Sequence, residues 1–354
     1  MHAIQVVEPT LEGYSGHCHA LVSSFVRAAA PAAIDLWSGK GAQRLAFGPG
    51  VTIYPFFRRR IRLPQSLYLL HRLVRSPGRI VVTTARTSDL ALLDVAAGGH
   101  VGPDRVFLYF HWVRPTPRKL RLLQRIAARQ PEIVILGTTE SVADVFRRCG
   151  FAHVLLLPYP APQPARSANA VPFRQLLYAG AARQDKGFKA VVDLVALLAA
   201  RNESIPVAVQ ISADHYGKYD TATREDIARL KALRYPPLAL IDETPSPEAY
   251  AANFPGSICL QPYNRSEFRD RVSGVTLDAL AHACPVIATA GTWTADLVEP
   301  FDAGIALAEP DAESLYAAVN TVRAGYARYQ AGALAAGHAR DRDSWRSLLD
   351  RLLK

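Results

Sequence analysis

Cysteine is scarce in this chain. Its four residues, Cys18, Cys149, Cys259 and Cys284, are widely scattered. None forms a C-x-x-C pair, which argues against a zinc site and for a reducing cytoplasm. No uninterrupted apolar run approaches the roughly 18 residues of a membrane span, so no spanning helix is expected. The opening MHAIQVVEPT lacks a basic stretch followed by an apolar one, so no signal peptide is expected. No G-x-G-x-x-G follows the strand that opens either half, which disfavours a nicotinamide oxidoreductase. Asp-x-Asp occurs only at Asp341 and Asp343, in the C-terminal tail and not in a loop suited to a metal. No metal and no cofactor are therefore expected.

What is present is enough for two cores. The chain has 354 residues, more than one ordinary core accommodates and suited to two domains of about 150 to 200 residues each. Hydrophobic residues make up 49% and charged residues 20%, a globular and not a disordered composition. The net charge of +10 is one-sided: residues 1–165 carry 20 Lys+Arg against 9 Asp+Glu, and the remainder 21 against 22. Such a field draws anionic partners: phosphorylated lipids, a membrane surface or nucleic acid. Solvated arginines that favour solubility are the plainer alternative.

Short apolar runs alternate with helical stretches. AIQVV, AIDLW, RIVVTTA, RVFLYFHW, EIVILGTT and HVLLLPYP read as strands, and residues 18–30, 64–75, 116–129 and 140–149 as helices. After residues 160–172, PAPQPARSANAVP, which suit a linker, the alternation resumes. RQLLYAG, VAVQIS, PLALID, SICLQPY, PVIATA and GIALA are its strands. Helices fall on FKAVVDLVALLAAR, SPEAYAANF, VTLDALAHA, TADLVEP, AESLYAAVNTVRAGYARY and RDRDSWRSLLDRLLK. This pattern predicts an α/β protein with two Rossmann-like domains, 1–160 and 173–335, each with a parallel sheet, facing one another across an interdomain cleft. Residues 336–354 are expected to form a C-terminal helix that packs back on the N-terminal domain.

Three segments of the second half carry chemistry. The first, Tyr178 to Gly187, follows a strand and precedes a helix. Arg183 and Lys186 there suit a diphosphate, and Gly180 and Gly187 permit close backbone approach. Taken alone, it reads better as an ordinary turn with two solvated cations. The second is DRVSGVTLDALA from Asp270 to Ala281. Ser273 suits the N-cap of the helix, so the N–H groups of Gly274 and Val275 would face an anion, aided by the helix dipole. Asp270 lies before this helix and Asp278 about one turn inside it, placed to reach a sugar and a ribose on either side of a diphosphate. The plainer reading is a surface acid beside Arg271 and an acid offsetting the dipole. The third is Leu260-Gln261-Pro262-Tyr263, followed by the polar run Asn264 to Glu267.

The run from Gln261 to Ala290 resembles the donor-binding signature of GT-B glycosyltransferases, in particular the retaining family 4, the glycosyl transferases group 1. That signature has Glu-x7-Glu, its second acid opening an EAMA-like helix, then a small residue and Pro-Val-Ile-Ala. Here the text is DRVSGVTLDALAHACPVIATA. Asp270 matches the first Glu and Asp278 the second, and Cys284 replaces the usual glycine. The loop from Gly180 to Gly187 is similar to the family's diphosphate loop, GRxxxEKG. Lys186 matches its lysine, whereas the arginine position falls on Ala181, leaving Arg183 as a shifted substitute.

The resemblance implies metal-independent, retaining transfer from a nucleoside-diphosphate sugar to a saccharide or lipid-linked saccharide, in cell-surface polysaccharide or glycan synthesis. Asp270, His111 and Lys186 are its catalytic candidates. Gly16, Gly180, Arg183, Lys186, Tyr263, Ser273, Gly274, Val275 and Asp278 are its donor-binding candidates. Gly16 stands in GYSGH, similar to the family's glycine-rich loop but equally a simple turn. His111, in LYFHWVRP, ends a strand where the family often has a histidine that touches the donor sugar; a satisfied core histidine is as compatible. A non-catalytic GT-B-like assembly subunit and a sugar-nucleotide epimerase stay open as alternatives.

The stretch YPFFRRRIRL remains. Arg58, Arg59, Arg60 and Arg62 adjoin Tyr54, Phe56 and Phe57, a pattern suited to an anionic membrane surface or lipid phosphate at the acceptor domain. A solvated arginine face beside core aromatics is the alternative. The sugar-nucleotide signatures weigh against nucleic acid as a partner. The expected location is cytoplasmic, peripheral on the inner face of the plasma membrane.

Overall fold

The computed structural model describes residues 2–14, 17–160, 171–213, 217, 219–342 and 345–353. They divide into two compact units. One runs to Pro160 and includes the C-terminal stretch from Trp345; the other runs from 171 to Arg342.

The first unit follows the order β1 (Ile4–Glu8), α1 (His17–Ala29), β2 (Ile34–Gly39), β3 (Val51–Phe57), α2 (Arg62–Arg75), β4 (Ile80–Val82), α3 (Thr87–Ala97), β5 (Val106–Phe110), α4 (Pro117–Arg129), β6 (Val134–Gly137), α5 (Glu140–Arg148) and β7 (His153–Leu156). Its seven strands form one sheet in the order β3-β2-β1-β4-β5-β6-β7, and every pairing is parallel. Strands buried on both faces read as unbroken apolar runs. Thus VFLYF of β5 and VILG of β6 are buried at every position. Thr116 caps α4 by accepting from Lys119 N, with Pro117 at the first helical position. Thr139 caps α5 in the same way through Val142 N.

The second unit continues with β8 (Gln175–Tyr178), α6 (Phe188–Ala200), β9 (Val207–Gln210), α7 (Thr221–Ala232), β10 (Leu238–Ile241), α8 (Pro247–Ala251), β11 (Ser257–Gln261), α9 (Arg265–Phe268), α10 (Gly274–Ala281), β12 (Val286–Thr289), α11 (Trp293–Val298), β13 (Gly304–Leu307), α12 (Ala312–Ala324) and α13 (Tyr326–Arg342). Its six strands are again all parallel, in the order β10-β9-β8-β11-β12-β13. Each sheet reverses direction beside its first strand, between β1 and β4 in one unit and between β8 and β11 in the other. These are the topological switch points, where open α/β sheets bind ligands outside the carboxyl ends of their strands.

Several elements differ from the sequence reading. β3 is a strand that the reading passed over as an arginine-rich patch. Its Pro55 lacks an N–H, but β3 is an edge strand, where proline is tolerated. α3 lies between α2 and α4, and its leucines and alanines spread over most of its circumference, so no single apolar stripe marks it. The long helix expected over AESLYAAVNTVRAGYARY breaks at Gly325 into α12 and α13. α13 packs on α10 and continues to Arg342, so residues 336–342 belong to the second unit.

The final helix, α14 (Arg346–Leu352), lies on the first unit. Trp345 is buried against Phe25, ring centroids 5.1 Å apart, and its Nε1 donates to Ser24 Oγ at 2.9 Å. Leu348 and Leu352 are buried, and Arg79 donates to the Leu352 carbonyl at 2.8 Å. No helix among the described residues is long and apolar enough to cross a membrane.

Candidate functional site

The switch point of the second unit gathers most of the residues singled out above. The loop after β8 turns at Gly180, whose φ of +89° favours glycine. Its N–H donates to Gln210 Oε1 at 2.7 Å, and Gln210 in turn donates to Ser212 Oγ at 2.7 Å, so the end of β9 fixes the turn. A Cβ at Gly180 would stand 3.2 Å from both Lys186 Nζ and a methyl of Val275. Gly187 closes the loop at φ +69°, and a Cβ there would lie 1.9 Å from the Pro262 carbonyl oxygen. The backbone of the loop therefore presses against the end of β11, and Asn264 N donates to the Asp185 carbonyl at 2.9 Å to bind the two segments together.

On the β11 side, Tyr263 is wholly buried, with its ring centroid 5.9 Å from Lys186 Nζ. Its hydroxyl lies 3.3 Å from Ser273 Oγ. Ser273 caps α10 by accepting from Thr276 N at 3.4 Å. Thr276 donates to the buried Gln261 at 2.6 Å, which anchors the first turn of α10 to β11. The N-terminus of α10, with exposed Gly274 and buried Val275, thus faces the Gly180 loop, and Lys186 lies between them. Free N–H groups and a lysine brought together in this way suit an anion.

Electrostatics reinforce this geometry. Loss of water around its ammonium pushes Lys186 down to about 8, neighbouring Arg183 and Arg271 add to the shift, and Asp185 opposes it. Asp185 ion-pairs with Arg183, accepting from its Nε at 2.8 Å, and with Arg271 at 3.3 Å. Neither Asp185 nor Arg271 was among the sequence candidates. Asp185 sits inside the recognised loop, whereas Arg271 joins it only through the fold.

Asp278 lies one turn into α10. Desolvation pushes its carboxyl up to about 6, although Tyr250 donates to it at 3.1 Å and His282 lies near. Tyr250, on α8, is a third residue that sequence reasoning missed, because nothing local links it to α10. Asp270 is not bound into the cluster. Among the described residues its electrostatic neighbour is Asp296, whose carboxyl is raised first by desolvation and then by Asp270.

The remaining candidates belong to the first unit. His111 follows β5 and packs edge-on between Tyr109, at 4.8 Å, and Tyr159, at 5.1 Å, while Thr138 donates to its carbonyl at 3.0 Å. Gly16 lies outside the described residues. Arg58, Arg59 and Arg60 are exposed in the turn between β3 and α2, and Arg62 opens α2 half-buried near Asp89. Exposed Tyr54, Ile61, Leu63 and Tyr68 surround them. Trp37 stacks on Tyr54 at 4.5 Å, and Phe56 on Tyr68 at 6.3 Å.

The switch point of the first unit holds a feature the sequence reading did not notice. Glu8, at the end of β1, is wholly buried. Its carboxylate accepts from Thr10 N at 3.1 Å, Thr10 Oγ1 at 2.5 Å, Thr83 Oγ1 at 2.7 Å and the Thr84 hydroxyl. A charged residue closing an apolar strand was the available signal.

Comparison with known proteins places this geometry in a structural class. No protein-family model matches the chain, and no curated protein matches it in sequence. Solved structures do. Sucrose-phosphate synthase from Thermosynechococcus elongatus superposes with a TM-score of 0.71 at 14% identity, covering 99% of this chain and 97% of that one. An α,α-trehalose-phosphate synthase (UDP-forming) from Burkholderia vietnamiensis gives 0.71 at 15% identity, covering 100% and 99%. Anabaena HepE in complex with UDP-glucose gives 0.68 at 13% identity, covering 99% and 98%. These neighbours are GT-B glycosyltransferases, and the likeness establishes the fold as two Rossmann-like units of that class.

Proposed function

We propose that the chain is a glycosyltransferase that takes a sugar from a nucleoside-diphosphate sugar bound to its second unit. The observation that carries this reading is the convergence of Lys186, Arg183 and the capped N-terminus of α10 on the Gly180 turn, at a switch point. The UDP and UDP-glucose bound by similarly folded HepE support a nucleotide-sugar donor here.

In this reading the diphosphate lies between the Gly180 turn and α10. Negative charge grows on it as the sugar leaves, and Lys186, Arg183 and the N–H groups of Gly274 and Val275 stabilise that charge without any metal. Asp278 accepts from the ribose hydroxyls. Asp270, uncommitted to any protein partner among the described residues, holds the sugar. Transfer proceeds with retention, to a saccharide or lipid-linked saccharide held by the first unit, where His111 contributes. The exposed Arg58–Arg62 turn and its aromatic and aliphatic neighbours rest on the anionic cytoplasmic face of a membrane.

A thermal-shift screen against nucleotides and nucleotide sugars tests the donor. A ligand at 100 times its dissociation constant adds about 2.7 kcal/mol. No stabilisation by any nucleoside diphosphate would remove the donor site. Donor binding without hydrolysis or transfer to any glycan would leave a binding subunit in place of an enzyme. Asp270→Asn should lower turnover more than nucleotide affinity. If Asp270→Asn is fully active and Glu267→Gln is dead, the acidic pair has been assigned one turn too late.

A further inference from the structure

Arg271 lies in the connection between α9 and α10, one residue beyond Asp270 and two before the cap Ser273. Its guanidinium carbon sits 4.9 Å over the Phe268 ring, and its Nη1 donates to Asp185 Oδ2 at 3.3 Å. Arg183 grips both oxygens of the same carboxylate, Nε on Oδ1 and Nη2 on the Oδ2 that Arg271 shares, so one acid bridges two guanidinium groups, one from the Gly180 loop and one from the entry to α10. Lys186 is the third cation of the group. Three positive charges thus surround one negative charge, beside a helix N-terminus that is itself partly positive.

The pairing is a poor candidate for a stability device. The Arg271 side chain is 35% exposed and that of Asp185 23%. Ion pairs this open to water contribute little to folding. What the arrangement does achieve is orientation. The Phe268 ring underlies the guanidinium, and Asp185 holds its Nη1 toward the loop. A planar fork of donors held in this way suits the oxygens of a phosphate. The loop also has alanine at 181, so its own cations are only Arg183 and Lys186.

We propose that Arg271 is a phosphate ligand of the donor site and that Asp185 is its resting partner, which a bound nucleoside diphosphate displaces. The inference rests on the donor-site reading above. A diphosphate brings at least two negative charges against the single charge of Asp185, so it outcompetes the carboxylate for both arginines. The site is thereby held ready when empty and neutralised when filled.

Calorimetric titration of the full chain with UDP and GDP tests this, using wild type, Arg271→Ala, Arg271→Lys and Asp185→Asn, each first shown to be folded by circular dichroism. Arg271→Ala should weaken binding roughly ten- to hundredfold, the worth of one charge-assisted contact. Arg271→Lys should recover only part of the loss, because the ammonium lacks the fork. Asp185→Asn should bind as tightly as wild type or severalfold more tightly, since the competitor is gone. Arg271→Ala and Asp185→Asn together separate a ligand from a brace. If the Arg271–Asp185 pair merely held the loop in shape, both would weaken binding alike, and that result overturns the proposal. So does unchanged affinity in Arg271→Ala. Absence of binding by wild type is a different failure: it removes the donor site itself.

Discussion

Donor affinity should follow a bell in pH, because the two groups assigned to opposite ends of the nucleotide titrate on either side of neutrality. The Lys186 ammonium sits at about 8, below the ordinary lysine range. A diphosphate favours the charged form, so binding takes up a proton once the solution pH passes that value. Affinity then falls as pH rises. At pH 9 only about a tenth of the free protein carries the charge, a roughly tenfold loss, or about 1.4 kcal/mol. The Asp278 carboxyl sits at about 6, above the ordinary carboxylate range. It accepts from ribose hydroxyls more strongly when ionised, so affinity rises with pH through that value, and pH 5 lies up to about tenfold below the plateau.

The ligand for this measurement should be UDP-glucose. The terminal phosphate of a nucleoside diphosphate itself titrates near pH 6, as phosphate monoesters do, and would mimic the acid limb. Calorimetry in buffers of different ionisation enthalpy, from pH 5 to 9.5, reads affinity and proton uptake together. Lys186→Ala should flatten the alkaline limb and lower the plateau by about 1.5–3 kcal/mol. Asp278→Asn should flatten the acid limb. A wild-type affinity constant across this range, or an alkaline fall that survives in Lys186→Ala, would refute the placement of these side chains against the nucleotide.

Three further outcomes follow from packing and surface charge. Gly187→Ala should destabilise the second unit by more than about 2 kcal/mol in urea unfolding, since the residue needs a positive φ and its Cβ would meet the Pro262 carbonyl. A thermal midpoint equal to wild type would show that the loop does not press on β11. Trp345→Ala should cost the first unit about 3–5 kcal/mol by emptying the space against Phe25 and orphaning Ser24, with the unfolding of the second unit unchanged. Replacing Arg58, Arg59, Arg60 and Arg62 together with Ser should abolish sedimentation with anionic vesicles at low salt and spare UDP binding. Equal sedimentation by variant and wild type would take the membrane away from this turn.

The parts of the fold that the sequence declared were those whose local pattern matched their final surroundings. β5 and β6 are buried at every position and read as plain apolar runs. Ser273 was legible as a cap because its side chain acts three residues away. β3 was hidden by a proline that only an edge position tolerates, and α3 by apolar residues around most of its circumference. The site divides along the same line. Lys186 and Gly180 belong to one short loop whose pattern is local. Arg271 and Tyr250 act through partners 86 and 28 residues away in the chain, so their roles exist only once β8, β11 and α10 are assembled.

Both units offer a switch point of the same topology, so topology alone does not decide where a nucleotide diphosphate sits. Charge separates the two. At the end of β1 the crevice holds a buried carboxylate, Glu8, already saturated by four donors from Thr10, Thr83 and Thr84. Its influence reaches Cys18, whose thiol is pushed up to about 12 by burial and then by Glu8, and Asp89, which burial raises. A diphosphate placed there would meet a buried acidic side chain and hydroxyls already engaged. At the end of β8 the balance is reversed: Arg183, Lys186 and Arg271 outnumber Asp185, and the capped start of α10 adds N–H groups to theirs. The excess of basic residues in the first half of the sequence therefore misleads if it is read as a phosphate site. Those arginines lie on outer turns and helix faces, where they suit an extended anionic surface. On the donor-site proposal, the diphosphate goes to the short cationic cluster in the nearly neutral second half.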